Sequence, residues 1–363
     1  MDVQSRQRAA EITSSTRLTV WISILVVRLF SRVAYHTPVR IGYTLCDWVG
    51  YLLYWRSLRY RRAVADNLRH AHYGRIDETR LRRQTITVFR MSARNFWDLL
   101  CLPRMTREEL RATLRMQPSD WERIEQLADQ EHGTIIISAH LGAFDFVGQY
   151  VVASKFKPLV LTTPTVSPFL FAGVTYLRTS MGARIEIANT HSLRALVNEL
   201  RAGGMIGLVA DRDFGETGRP VTLFDAETTL PSGPIKLARQ TGAPLVPWLG
   251  FREHTYQRRR GFVVMSEPPI YVARTANRDA DIACGLQQLA ELYERAISQA
   301  PDQWVMFQPV WPEAKARHGW RAFAARQAAQ LGLDGSSDFG VPAEPLAVPP
   351  DDVDAPTPLR PAG

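Results

Sequence analysis

Lysine is almost missing from this chain. Of its 44 basic residues only Lys155, Lys157, Lys236 and Lys315 are lysines, which leaves 44 − 4 = 40 arginines. Arginine offers a rigid planar fork suited to phosphate and carboxylate, where lysine offers a flexible point charge; genome composition can produce the same bias. Cysteine is also scarce. Cys46, Cys101 and Cys284 are odd in number and far apart, so neither a disulfide framework nor a metal-ligand spacing can be built from them, and a reducing compartment is expected. There is no long uninterrupted apolar run. The clearest, Leu18–Val27, sits between Arg17 and Arg28 and falls short of the roughly twenty residues that span a bilayer. No small-residue cleavage site follows it, so a secretory signal is not expected. A Gly-x-Ser-x-Gly nucleophile elbow is missing, as are zinc-finger, recognition-helix and RNA-binding signatures; nucleic acid is therefore not an expected partner.

What is present is an ordinary globular composition. The 363 residues are 45% hydrophobic and 22% charged, with a formal net charge of +8 and a pI near 9.6. That length suits one large domain with appendages, or two modest ones, and the basic balance suits an anionic membrane surface or an acidic substrate. Residues 1–56 differ from the rest. Two apolar stretches, one from Leu18 to about Tyr35 and one from Ile41 to Trp55, are edged by Arg28, Arg32 and Arg56 and interleaved with Trp21, Trp48, Tyr51, Tyr54 and Trp55. Segments of this kind suit helices lying in a membrane interface. A pair of core helices is the plain alternative, and a tilted membrane span over residues 16–36 would carry the cost of buried arginine.

Residues 56–115 read as helical and arginine-rich. From about residue 119 short strands and helices alternate. Thr134–Ser138, Pro158–Thr163, Arg184–Ala188, Met205–Ala210 and Pro244–Phe251 read as strands, with helices at 143–154, 168–181, 190–202, 233–242 and 278–300. The expected fold class is α/β: a layered mixed, largely parallel sheet flanked by helices, with N-terminal membrane-associated helices. The expected division is a membrane-associated segment at 1–56, an α/β domain at 57–325 and a Pro-rich tail at 326–363. That tail has almost no large apolar residue and is expected to be disordered from about 330.

The strongest local feature is Ser138-Ala-His-Leu-Gly-Ala-Phe-Asp145, which follows a buried strand and opens a helix. Open α/β sheets bind ligands beyond the carboxyl ends of their strands. Five residues apart on a straight helix, His140 and Asp145 would not share a face. They can meet if His140 lies in the preceding turn, which Gly142 makes easy. A carboxylate on one imidazole nitrogen raises the basicity of the other. The plain reading is a histidine that caps a strand end.

His140-x-x-x-x-Asp145 after an apolar strand resembles the signature of the glycerolipid acyltransferase superfamily. Four further segments resemble one branch of it, in the same order: Arg62–Arg69, Asp211-Arg-Asp-Phe-Gly215, Pro231–Ala238 with Gly242–Pro247, and Gln303–Trp311. That branch holds the lauroyl/myristoyl lipid A acyltransferases and the phosphatidylinositol mannoside acyltransferases, and the resemblance covers about residues 20–312. It implies an O-acyltransferase in which His140, assisted by Asp145, is the general base for attack of a lipid or glycolipid hydroxyl on a thioester. The donor would be acyl-CoA or acyl carrier protein, with no covalent intermediate, metal or other cofactor, at the cytoplasmic face of the inner membrane. Asp145 and the Trp-Val-Met-Phe-Gln-Pro stretch lean toward the mannoside acyltransferases.

The resemblance also implies that Asp211 and Asp213 complete the site, orienting His140 or positioning the acceptor, and that Arg178 meets the acceptor's polar head. By themselves, Asp211 and Asp213 could equally be the metal-binding pair of a nucleotide-sugar glycosyltransferase or a solvated acidic turn, and Arg178 could be a salt-bridge partner. Phe144, Phe146, Phe169, Phe171 and Phe224 are candidates for an acyl groove or for plain core. A non-catalytic membrane-surface protein is the remaining alternative.

Overall fold

The computed structural model describes residues 3–128, 132–162, 168–188, 192–213, 218–253, 261–265 and 267–323. The tail from about 330 lies outside these residues. The N-terminal part is helical. α1 (Val3–His36) and α2 (Val39–Arg56) are parted by Thr37 and Pro38, and α3 (Leu58–Ala71) follows at once. α4 (Glu78–Cys101) begins where the Asp77 side chain accepts the Arg80 amide, a charge-assisted N-cap. α5 (Arg107–Ala112) opens with a capping box between Thr106 and Glu109, and β1 (Leu114–Arg115) and α6 (Pro118–Ala128) complete this part.

Strands and helices then alternate: β2 (Thr134–Ser138), α7 (Phe144–Val152), β3 (Leu159–Thr162), α8 (Pro168–Thr179), β4 (Arg184–Ile187), α9 (Ser192–Arg201) and β5 (Met205–Val209). A hairpin of β6 (Arg219–Leu223) and β7 (Ala226–Leu230) precedes α10 (Gly233–Thr241), β8 (Leu245–Pro247), β9 (Leu249–Arg252), β10 (Phe262–Met265), α11 (Arg278–Gln299) and α12 (Pro312–Arg317). The main sheet runs β4-β3-β5-β2-β8, and its pairs are parallel. The fold class is thus α/β, with a parallel sheet flanked by helices.

One expected strand is two. Pro244–Phe251 divides at Trp248: β8 pairs with β2 in the main sheet, while β9 pairs with β10 in a second sheet, β1-β10-β9. Pro247 has no amide to extend the first ladder. Trp248 turns the chain, donating its amide to Ile137 O and its indole N–H to the Val147 carbonyl.

β2 is buried on both faces, as a central parallel strand must be. Its side chains alternate: Ile135 and Ile137 pack in one core with Leu286, Leu289 and Tyr293 of α11. Ile136 faces the other way, into a core with Phe146, Val147 and Val151 of α7.

α1 and α2 turn the usual polarity outward. On α2 the residues Ile41, Leu45, Trp48, Leu52 and Trp55 are exposed, and their 4-3-4-3 spacing is one helical stripe. The inner face is Gly42, Cys46 and Gly50. A Cβ at Gly42 would lie 2.3 Å from the Trp97 ring, and one at Gly50 would lie 2.7 Å from Arg90 backbone, so α2 and α4 meet at backbone distance. Asp47 fixes the pair, accepting from Arg90 at 2.5 Å and from Arg94 at 2.7 and 2.8 Å. On α1, Leu18, Ile22, Leu25, Leu29 and Val33 are exposed, while Ser23, Ser31 and Ala34 are buried. The stretch Leu18–His36, of 19 residues and mean hydropathy 1.6, is long and apolar enough to cross a membrane.

Candidate active site

The parallel register of the two central strands creates the site. Ser138 of β2 lies opposite Val209 of β5, so the residues two places beyond each strand end, His140 and Asp211, emerge side by side. The Asp211 carboxylate accepts from His140 twice, from Nδ1 at 2.7 Å and from the backbone amide at 2.9 Å. A third donor, the indole Nε1 of Trp304, reaches the same carboxylate at 2.9 Å.

Asp211 is 2% exposed and His140 is 22% exposed, so the carboxylate is sealed while the ring keeps an open side. Burial pushes the Asp211 carboxyl up, but the charge of His140 and the hydrogen bonds from His140 and Trp304 outweigh it and hold it below the ordinary value. An ionised Asp211 accepts the Nδ1–H and leaves the Nε2 lone pair as the free one. Nε2 has no hydrogen-bond partner among the described residues. The ring lines a cavity of about 160 Å³ with Asn95, Phe96, Phe144, Asp145, Val305 and Phe307. Beneath the pair, Tyr293 donates its hydroxyl to the Ser138 carbonyl at 3.0 Å. Burial and the nearby Asp211 raise that phenol well above its usual range, which keeps it neutral.

The turn carrying His140 is held on every side. Gly142 has φ +55°, and a Cβ there would lie 2.0 Å from the Gly250 carbonyl oxygen, so only glycine fits. The segment after α11 runs alongside: Val305 N–H donates to His140 O, and Gly142 N–H donates to Gln303 O. Asn95 of α4 donates to the Gly142 carbonyl at 2.6 Å. Arg252 then ties the rest together: its guanidinium donates to Asn95, Asp98 and Tyr43, and its backbone exchanges two hydrogen bonds with the Gln303 amide side chain.

The sequence pairing of His140 with Asp145 is corrected by this geometry. Asp145 lies in the first turn of α7, where its carboxylate forms a two-pronged pair with Arg178 of α8, at 2.7 and 2.8 Å. Arg178 also donates to Thr162 at 3.1 Å, at the carboxyl end of β3. The imidazole is held by Asp211 instead. Asp145 nonetheless lines the same cavity as His140. Asp213 points elsewhere, accepting from Gly218 N–H and the Thr229 hydroxyl, and so ties its loop to the β6–β7 hairpin. Both carboxylates of the Asp-Arg-Asp motif are engaged by protein donors rather than standing open as a pair of metal ligands. Among the described residues no three His, Cys, Asp or Glu converge on one point.

Of the candidate groove aromatics, Phe144 lines the cavity, its ring centroid 4.9 Å from that of His140. Phe146 and Phe224 are core, at 1% and 2% exposure. Trp304, Gln303, Asn95 and Arg252 were given no role by sequence. The signal for the first two was their place in the Gln303–Trp311 segment. That segment and the Arg62–Arg69 segment form one unit: Asn67 donates to the Met306 and Gln308 carbonyls and accepts from Val310 N–H.

Three relatives at 26% identity are phosphatidylinositol mannoside acyltransferases. Two are from strains of Mycobacterium tuberculosis, matched over 226 residues, which is 60% of this chain and 66% of the relative. The third is from Mycolicibacterium smegmatis, matched over 209 residues, 55% and 65%. The matches thus span just under two thirds of these relatives' length. Residues 7–313 match the family described as bacterial lipid A biosynthesis acyltransferase, and with most of its length so covered the chain belongs to that family.

Proposed function

We propose that this protein is an O-acyltransferase that moves a fatty acyl group from a thioester donor, acyl-CoA or acyl carrier protein, to a hydroxyl of a membrane glycolipid of the phosphatidylinositol mannoside kind. The observation that carries the mechanism is the His140–Asp211 pair, with the open edge of the imidazole beside a cavity at the carboxyl end of a parallel sheet.

His140 Nε2 takes the proton as the acceptor oxygen attacks the thioester carbonyl carbon. Asp211 stabilises the imidazolium that forms and keeps the ring in its productive tautomer. Collapse of the tetrahedral intermediate breaks the carbon–sulfur bond, and the leaving thiolate takes the proton back from His140. The products are an ester and a free thiol. No protein nucleophile is used, and no metal or redox cofactor is required by these steps.

Asp145 acts through Arg178, holding the guanidinium near the cavity, where it is placed to meet the polar head of the acceptor. The outward apolar stripes of α1 and α2 rest in the membrane interface, at the cytoplasmic face, where the thiols of Cys46, Cys101 and Cys284 stay reduced. The test is mass spectrometry of membrane lipids incubated with acyl-CoA and either the wild-type protein or His140→Ala. A glycolipid that gains one acyl chain only with the wild type supports the proposal. A lipid profile identical in both arms overturns it.

A further inference from the structure

A groove of about 960 Å³ lies between α3 and α4, beside the end of α2. It is separate from the reaction cavity. Tyr54 on its wall packs on Phe89, and Phe89 packs on Phe307, the residue that lines the His140 cavity. Six arginines line the groove against two acids, Asp66 and Glu78.

The two acids are already satisfied. Asp66 accepts from Arg69, Arg317 and His318, and Glu78 accepts from Arg69. The other four arginines have no acidic partner among the described residues. Arg61 and Arg82 rest on aromatic faces instead, 5.0 Å over Tyr54 and 5.8 Å over Trp55; Arg62 and Arg83 are exposed. Four unpaired guanidinium groups around one concavity repel each other until an anion enters, and planar N–H forks fit phosphate.

The location selects the source of that phosphate. Trp55 closes the outward apolar stripe of α2 and is half-exposed at the groove wall. Tryptophan settles at the headgroup level of a bilayer. With the α2 stripe in the interface, the groove opens where lipid phosphates lie.

We infer that the groove formed by Arg61, Arg62, Arg82 and Arg83 binds the phosphodiester headgroup of an anionic membrane lipid that is not itself acylated. The site anchors and orients the enzyme on the bilayer. This rests on the proposed membrane-interface placement of α1 and α2.

The test is co-sedimentation of the full chain with two kinds of vesicle. One is phosphatidylcholine alone, and the other carries about a third phosphatidylglycerol. The variants are Arg62→Gln/Arg83→Gln and, as a control, Arg194→Gln/Arg201→Gln, exposed positions on α9. The groove variant should lose on the order of tenfold or more of its partitioning onto anionic vesicles, with partitioning onto neutral vesicles and the KM for acyl-CoA unchanged. The control should match the wild type. Equal losses in both variants would overturn the inference in favour of diffuse surface charge. A raised acyl-CoA KM with vesicle binding intact would assign the groove to the donor's phosphates instead. A wild type that binds neither vesicle would remove the membrane placement itself; one that binds both equally would remove only the headgroup site.

Discussion

Nδ1 of His140 lies 2.7 Å from Oδ1 of Asp211, a residue 71 positions later in the chain. The contact is produced by two neighbouring parallel strands in fixed register, so its geometry is as rigid as the sheet. Asp211→Asn keeps the shape, but its amide can turn an N–H toward Nδ1 and stabilise the wrong tautomer. The expected result is a fall in kcat of about 10²–10⁴-fold with little change in KM, measured by steady-state transfer from acyl-CoA.

Acid should weaken the fold partly through the same residue. The folded-state carboxyl of Asp211 is held below its ordinary value of 3.8. Its contribution to stability is therefore complete above that value and lost as pH falls through the lower, folded-state one. Urea unfolding of the wild type should show stability dropping below about pH 4, and Asp211→Asn should show a shallower drop over the same window. Identical slopes would mean that Asp211 ionises alike in the folded and unfolded chains.

Trp304→Phe removes one donor from the Asp211 carboxylate while keeping an aromatic ring in a site 2% exposed. A lost hydrogen bond to a charged, buried acceptor costs about 1.5–3 kcal/mol. Thermal unfolding should register that loss, and kcat should fall by about tenfold because the pair is less firmly seated.

Asp145 and Arg178 should behave as one unit. Asp145→Asn and Arg178→Gln should each raise the acceptor KM more than they lower kcat. The double variant should be about as impaired as the worse single one, as expected of residues in direct contact. Additive losses would show that Asp145 has a role independent of Arg178, as in the sequence-based pairing with His140.

Two glycines only six residues apart should respond oppositely to alanine. Gly142→Ala places a Cβ 2.0 Å from a backbone oxygen at φ +55° and should abolish soluble, folded protein. Gly148→Ala, inside α7 with nothing within 4 Å of the added carbon, should be neutral or stabilise by about 0.5–1 kcal/mol.

The layered α/β fold was legible because β2, β3 and β5 are short apolar runs bounded by turn residues, and β2, β3 and β4 are each followed by a helix. The β6–β7 hairpin was not. Its two-residue turn is Phe224-Asp225, both at positive φ, instead of the Asn-Gly or Asp-Gly that announces such a turn; the buried Phe224 ring, packed on Tyr73 and Trp311, holds it. His140 stood out because it follows a buried strand within a segment that resembles the acyltransferase signature. Asp145 was set beside it as partner and Asp211 named only as one that could orient it, because which carboxylate meets the ring depends on strand order, which cannot be read from one chain. Arg252 and Asn95 were invisible for the same reason: their roles exist only once α4, β9 and the Gln303 segment are packed together.

The most direct test of the His140–Asp211 chemistry is a single-turnover assay of acyl transfer from labelled acyl-CoA to a mannosylated phosphatidylinositol acceptor, run with wild type and His140→Ala. Circular dichroism should first establish that both are folded. The geometry predicts that the variant binds donor and acceptor but forms no acylated lipid above background. Product formation by folded His140→Ala at the wild-type rate would contradict it.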